Sequence, residues 1–504
     1  MSKREPTLLA ESPRGSKTKT IMAENDPAKV EPTQQEPTIA AKFARALRSP
    51  AMVVLLLASL ALLILVFLNR ASIERAFGKD SGHEEKLAKF VPPEEGSWRF
   101  IASGDSRNCG DVVMPAIAAD SAARYQPSFY WHLGDLRAIY KVDEDMAYAE
   151  LKNGRYLGCE NYVKRAWPDF IENQIAPFGS TPFYVGIGNH EVVPPKSKRP
   201  KEDEVVPPEI RGAQFTTQFK DWLLAPAVEK QQTEDCKAAD ALAAKGTTSA
   251  KAGCVKEARN YYHWIQGGVD FIYLDNASDL FGTTQRDWLT AILQFAADDE
   301  NVRSVVVGMH EALPGSISAD HAMCDVTKKH DAAWTASCND GEQVYKALLD
   351  FQKKYPNKPV YILASHSHYY MEGIFNSRAE PEHLKGWIVG TAGAVRYSLP
   401  KDKSKSIGPR TNVYGYLLGT VNKHGEIKFE FQEVKEEDVP PPVWRRYQRT
   451  FVDWCFAHNS QDIDPNAVET TTRCPEPKAE AAPAPANGPA QSKTPAPAAK
   501  NKKP

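Results

Sequence analysis

Short apolar runs that each stop at a glycine or a polar residue set the rhythm of the middle of the chain. Trp98 to Ser103 ends in Gly104-Asp105, Phe129 to Leu133 in Gly134-Asp135, and Phe183 to Ile187 in Gly188-Asn189-His190-Glu191. Val305 to Met309 runs into His310, and Val360 to Ala364 runs into Ser365-His366-Ser367-His368. Runs this short, rich in Val, Ile and Phe, predict buried strands. Helical stretches such as Gln285 to Ala297 and Glu342 to Tyr355 alternate with them. The alternation predicts an α/β sheet whose ligands gather outside the carboxyl ends of the strands.

One apolar run is of another kind. Ala51 to Leu68 has Ser59 as its only polar residue, and as a helix it spans roughly 27 Å, enough to cross a bilayer. With some fifty residues before it, it reads as an uncleaved signal anchor rather than a cleaved signal peptide. Lys42, Arg45 and Arg48 stand before it without nearby acids, whereas Arg70, Arg75 and Lys79 after it are diluted by Glu74 and Asp80. The positive-inside rule then places the N-terminus in the cytoplasm. The expected localisation is a single-pass membrane protein held in the lipid bilayer through residues 51–68, its catalytic domain periplasmic or at the cell surface. All eight cysteines follow the apolar run and none has CxxC spacing, which agrees with an oxidising compartment. Sequential pairing gives Cys236 with Cys254 and Cys324 with Cys338, each closing a short polar loop, and Cys109 with Cys159.

Composition divides the rest. Residues 1–50 and the Pro/Ala-rich 475–504 are expected to be disordered tails. Residues 69–95 read as a charged linker, 96–433 as the globular domain with an insertion at about 192–259, and 434–474 as an appendage. The chain has 504 residues, enough for about three domains or for one large α/β domain with such tails. With 62 Lys and Arg against 64 Asp and Glu there is no basic field, and no specific nucleic-acid partner is predicted.

The strand ends carry the chemistry. Asp105, Asp135, Asn189, His310, His366 and His368 offer hard oxygens and imidazole nitrogens, a mixture that suits Zn, Mn, Fe or Co better than Ca. Two ions sharing an aspartate would stand about 3.5 to 4 Å apart and clamp a phosphoryl oxygen. Glycine before each Asp or Asn lets the chain turn sharply and leaves the ligand unshadowed.

The ordered series Gly104-Asp105, Gly134-Asp135, Gly188-Asn189-His190-Glu191, Val307-Gly308-Met309-His310 and His366-Ser367-His368 resembles the calcineurin-like metallophosphoesterases, the group that includes the purple acid phosphatases. Asn260-Tyr261-Tyr262 before Val269 to Asp275, and Gly390-Thr391-Ala392-Gly393, are similar too. The resemblance covers roughly residues 98–400. It implies a four-layer αββα sandwich and two divalent or trivalent ions (Mn, Zn or Fe). Asp135 would bridge them, with Asp105 and His368 on the first and Asn189, His310 and His366 on the second. His190 would face the leaving group as general acid or phosphate donor, and the reaction would be in-line attack on phosphorus by a metal-bound hydroxide. Small phosphate-ester substrates, monoesters first, are implied. A phosphodiesterase or nuclease, and a non-catalytic membrane-anchored binder on the same fold, stay open as alternatives.

The chain departs from that family at Arg107. Many relatives have Asp-x-His in the first motif, and purple acid phosphatases use a Tyr three residues after the second-motif Asp; here Arg107 and Ala138 stand at those places. The first ion is therefore expected to be weakly held. Arg107 either grips a substrate phosphate or pairs with Asp111. Elsewhere His132 reads as a core histidine, His321 and His330 as loop residues, Glu191 and Asp275 as residues that orient ligands, and Lys196 to Lys201 as a solvated surface. The insertion is expected to shape substrate choice.

Overall fold

The computed structural model describes residues 89–139, 141–192, 208–318, 321–325 and 329–463. The anchor expected at 51–68, both tails, Lys196 to Lys201 and Cys474 lie outside them. Among the described residues no helix is long and apolar enough to cross a membrane.

The chain builds two sheets. The first contains β1 (Trp98–Ser103), β2 (Tyr130–His132), β3 (Phe183–Val185), β11 (Tyr414–Val421) and β12 (Ile427–Val434) in the order β12-β11-β1-β2-β3. The second runs β10-β8-β9-β7-β6-β5-β4 and uses β4 (Tyr262–Gln266), β5 (Val269–Leu274), β6 (Ser304–Met309), β7 (Val360–Ala364), β8 (Tyr370–Glu372), β9 (Lys385–Val389) and β10 (Ile407–Arg410). β1, β2 and β3 are parallel, with Ser103 opposite His132 and His132 opposite Val185. The turns after them therefore leave the sheet at one edge. β5, β6 and β7 are parallel as well, Leu274 lying opposite Met309 and Gly308 opposite Leu363.

The two sheets meet face to face through aromatic rings. Phe100 lies 4.9 Å from Phe271, Trp131 lies 5.3 Å from Trp264, and Trp387 lies 4.4 Å from Phe429 between ring centres. Side chains alternate across each strand, so Phe271 and Tyr273 join this inner core while Ile272 and Leu274 face outward. Trp288, Leu289 and Ile292 of helix Gly282–Asp298, with Val344 and Leu348 of helix Ala332–Lys354, cover that outer face. Helix Gly110–Arg124 covers the first sheet along β11 and β12. The layers run helix, sheet, sheet, helix.

Helix Gly110–Arg124 was not legible from periodicity because most of its residues are buried on every side, which erases an amphipathic stripe. Helix Ala332–Lys354 starts ten residues before the expected Glu342. Asp331 caps it by accepting from Trp334 N, and Gly341 continues it where a Cβ would stand 2.6 Å from Pro314 Cδ. That glycine marks close packing and not a break.

The disulfides correct one expectation. Cys236–Cys254 and Cys324–Cys338 form as expected, but Cys109 pairs with Cys455, 346 residues away, and not with Cys159, which is in a disulfide of its own. The reason is that helix Arg449–Ala457 buries Phe451, Val452 and Cys455 in the inner core. This brings Cys455 to the start of helix Gly110–Arg124, with a Cα separation of 5.8 Å from Cys109. The described part of the insertion is built in as well: Phe215, Phe219, Leu223 and Val228 are core residues.

Candidate metal centre

The carboxyl ends of β1, β2 and β3 meet those of β6 and β7, so the turns that follow bring Asp105, Asp135, Asn189, His310, His366 and His368 to one place. Three of these residues hold left-handed backbone: Asp105 at φ 60°, Asp135 at φ 58° and His366 at φ 63°. Such φ values are uncommon outside glycine and concentrate at functional sites. The neighbouring glycines are there for space. A Cβ on Gly188 would stand 2.3 Å from Asp135 Oδ1, and one on Gly390 would stand 2.7 Å from Asp105 Oδ2.

Two candidate metal-holding groups share Asp135. One is Asp135, His310 and His366; the other is Asp105, Asp135 and His368, the donor atoms of each lying within 4.8 Å of one another. Around the first group, His310 Nε2 is 2.9 Å from Asn189 Oδ1, 3.0 Å from His366 Nδ1 and 3.3 Å from Asp135 Oδ1. His310 Nδ1 lies 3.2 Å from the Leu133 carbonyl and 3.0 Å from Ser365 Oγ, which anchors the ring with Nε2 turned into the group. In the other group His368 Nε2 is 3.2 Å from Asp105 Oδ1. Asp105 Oδ1 and Asp135 Oδ2 are buried, and their close neighbours are His368 Nε2 at 3.2 Å and Arg107 Nε at 3.4 Å. The donor set at Asp135, Asn189, His310 and His366 fits a Zn-, Mn- or Fe-type ion.

Arg107 is where the donor sets differ. Its Nη2 reaches His368 Nε2 at 3.1 Å, its Nη1 reaches His190 Nδ1 at 2.8 Å, and its Nε lies 3.4 Å from Asp135 Oδ2. It does not pair with Asp111, which is taken by buried Arg137 and by the Tyr447 hydroxyl. A guanidinium only donates, so His190 Nδ1 accepts and the His190 proton sits on Nε2. Burial, then the charge of Arg107, push the His190 pKa well below its ordinary value. His190 is therefore a neutral hydrogen-bond donor through Nε2.

Charge at the site is set by its neighbours. Burial works against the ionised form of Asp105, but His368, His310 and Arg107 outweigh it and hold the carboxyl below the usual range. Asp135 is lowered as well: burial opposes its ionised form, and the charge of Arg107 beside it helps to overcome burial. Burial and then His310 hold His366 well below its ordinary value, in the neutral form that a ligand needs.

Supporting residues complete the frame. The Glu191 carboxylate accepts backbone N–H groups from Gly188 at 2.8 Å, Leu136 at 2.9 Å, Asp135 at 3.1 Å and Arg137 at 3.3 Å. The Tyr273 hydroxyl donates to the Ile187 carbonyl at 2.8 Å, just before Gly188-Asn189. Asp275 has its backbone N–H and C=O clasped by Gln285, and burial raises its carboxyl to about 6. His132 is a satisfied core residue, bonded to Ser106 Oγ and to Gly134 N. His330 stacks on Trp334. His321, read from sequence as a loop residue, lies 5.5 Å from His366 and 4.8 Å from Tyr397 between ring centres, beside the centre. Asn276, which fixes the backbone of His310 through Oδ1, and Tyr397, stacked on His368 at 3.9 Å, carry no motif signal and were missed.

No family model matches the chain, and no curated protein matches it. Among solved structures it is similar to a purple acid phosphatase from yellow lupin (Lupinus luteus) seeds, with a TM-score of 0.40 and 15% identity over 68% of this chain and 52% of that one. It is also similar to the anchor in the inner membrane complex of Plasmodium (TM-score 0.35, 10% identity, 68% of this chain and 90% of that one). A 5'-nucleotidase from Candida albicans gives a TM-score of 0.32 at 10% identity over 72% of this chain and 55% of that one. The chain spans about half the length of the lupin and Candida proteins.

Proposed function

We propose that the chain is a metal-dependent phosphoester hydrolase of the calcineurin-like type, acting first on small phosphomonoesters. The observation that carries this is the convergence of two donor groups on Asp135, with His190 and Arg107 beside them. Asp135, Asn189, His310 and His366 would hold an ion, which supplies a Lewis acid for a phosphoryl oxygen and lowers the pKa of water. Arg107 then offers charge-assisted hydrogen bonds to a phosphate. His190, neutral with its proton on Nε2, would donate a hydrogen bond to the leaving oxygen. Glu191 and Asn276 keep the ligand-bearing turns in place.

The full chain should be assayed against phosphomonoesters, diesters and pyrophosphates with Mn, Zn and Fe added separately. Monoester turnover that needs added metal supports the reading; turnover confined to diesters supports the nuclease-type alternative. The insertion of Arg107 among the donors favours one further reading, a binder without turnover, which predicts metal binding with no hydrolysis of any ester.

The same proposal places the catalytic domain outside the cytoplasm on the 51–68 anchor. Three disulfides between described cysteines support an oxidising compartment. Alkaline-phosphatase reporter fusions after residue 80 should be active, and activity of a cytoplasm-only reporter at that junction would contradict it.

A further inference from the structure

The geometry points to a centre that holds one metal ion, with the Arg107 guanidinium standing where a second would bind. This rests on the proposal above that the Asp135 group binds metal, and it goes beyond that proposal by fixing the number of ions.

His368 Nδ1 donates to the Val395 carbonyl at 2.6 Å, so in the neutral ring Nε2 is the only acceptor. That lone pair already receives Arg107 Nη2 at 3.1 Å. Asp135 Oδ2 faces Arg107 Nε at 3.4 Å. An ion held by His368 and Asp135 needs these same atoms at about 2.0 to 2.2 Å. The guanidinium lies among them, and its chain is packed in: Arg107 is 7% exposed.

Asp105 and Asp135 contribute two negative charges and Arg107 one positive, all of them buried. One dication brings the centre to a single positive charge, matched to an anionic phosphate. A second dication a few ångströms from a buried guanidinium would be repelled at short range with little solvent screening.

The two groups differ. Asn189 Oδ1 and His366 Nδ1 lie 2.9 and 3.0 Å from His310 Nε2, which itself is 3.3 Å from Asp135 Oδ1, the oxygen that Arg107 Nε does not face. His310 Nδ1 is held 3.2 Å from Leu133 O, which turns Nε2 into this group. One group is open to an ion and the other is filled by a side chain.

The test is metal stoichiometry on the full chain, stripped of metal and equilibrated with Mn²⁺ alone, then read by elemental analysis and by electron paramagnetic resonance. The expected result is one ion per chain with the hyperfine spectrum of an isolated Mn²⁺, and two ions with an exchange-coupled spectrum in Arg107→His. Loss of the ion in His366→Ala and its retention in His368→Ala would place it on the Asn189 side; this comparison stands even if Arg107→His fails to fold. Two ions of similar affinity in the unmodified chain would overturn the single-ion centre and leave the hydrolase reading intact. No bound Mn²⁺ at millimolar concentration would overturn both.

Discussion

The Glu191 carboxylate accepts the backbone N–H of Asp135 at 3.1 Å, and Asp135 Oδ1 in turn accepts the N–H of His190 at 2.9 Å. The turns after β2 and β3 thus hold each other, with Asp135 kept in its left-handed conformation by a residue that does not face the donor groups. Both Glu191 oxygens are needed as acceptors there, because four N–H groups converge on them, two on each.

Glu191→Gln should therefore weaken metal binding by about 10- to 100-fold while the chain stays folded, the range found when partners behind a ligand are changed. Calorimetric titration with Mn²⁺, beside a thermal melt, checks this. Unchanged affinity would mean that the turns hold Asp135 without Glu191.

His263 ties the insertion to the sheet. It lies between Asp235 of helix Pro226–Ala244 and Asp270 of β5, each 2.8 Å away. Burial opposes its charged form, but Asp270 and Asp235 outweigh burial and carry its pKa to about 10. A raised folded-state pKa stabilises fully below the unfolded value near 6.5 and is lost as pH rises toward 10. The gap in melting temperature between the natural chain and His263→Gln should be widest at pH 6 and narrow between about pH 6.5 and 10. A gap that does not vary with pH would contradict a charged His263.

The Cys109–Cys455 disulfide anchors helix Arg449–Ala457 beside the first ligand turn, where Cys109 N also donates to the Gly393 carbonyl at 3.1 Å. Cys455→Ser should cost about 2 to 5 kcal/mol of stability. Non-reducing peptide mapping should recover Cys109 and Cys455 in one linked peptide. Recovery of Cys109 with Cys159 would restore the pairing first expected from sequence.

Sequence made the strand ends legible because a ligand site at the carboxyl edge of a sheet leaves a local signature, an apolar run, a glycine and then a donor. β1 and β7 match their apolar runs to the residue, and all six expected ligands reach one centre. What depends on long-range packing was not legible. Helix Gly110–Arg124 hid because it is buried all round. Cys455 gave no sign that its helix would reach Cys109. The partners of Arg107 could not be read either, because Asp111 is nearer in sequence while His190 and His368 arrive from β3 and β7. Asn276 and Tyr397 act through the backbone of His310 and the ring of His368, contacts that no spacing encodes.

Asp135 belongs to both donor groups, so it tests the account most directly. The decisive measurement is phosphate release from an aryl phosphate by the full chain, stripped of metal and then reloaded, compared with Asp135→Asn under the same conditions. The account predicts turnover that is absent without metal, returns with it, and stays at background in Asp135→Asn. Equal turnover by Asp135→Asn, or none from the metal-loaded natural chain, would contradict it.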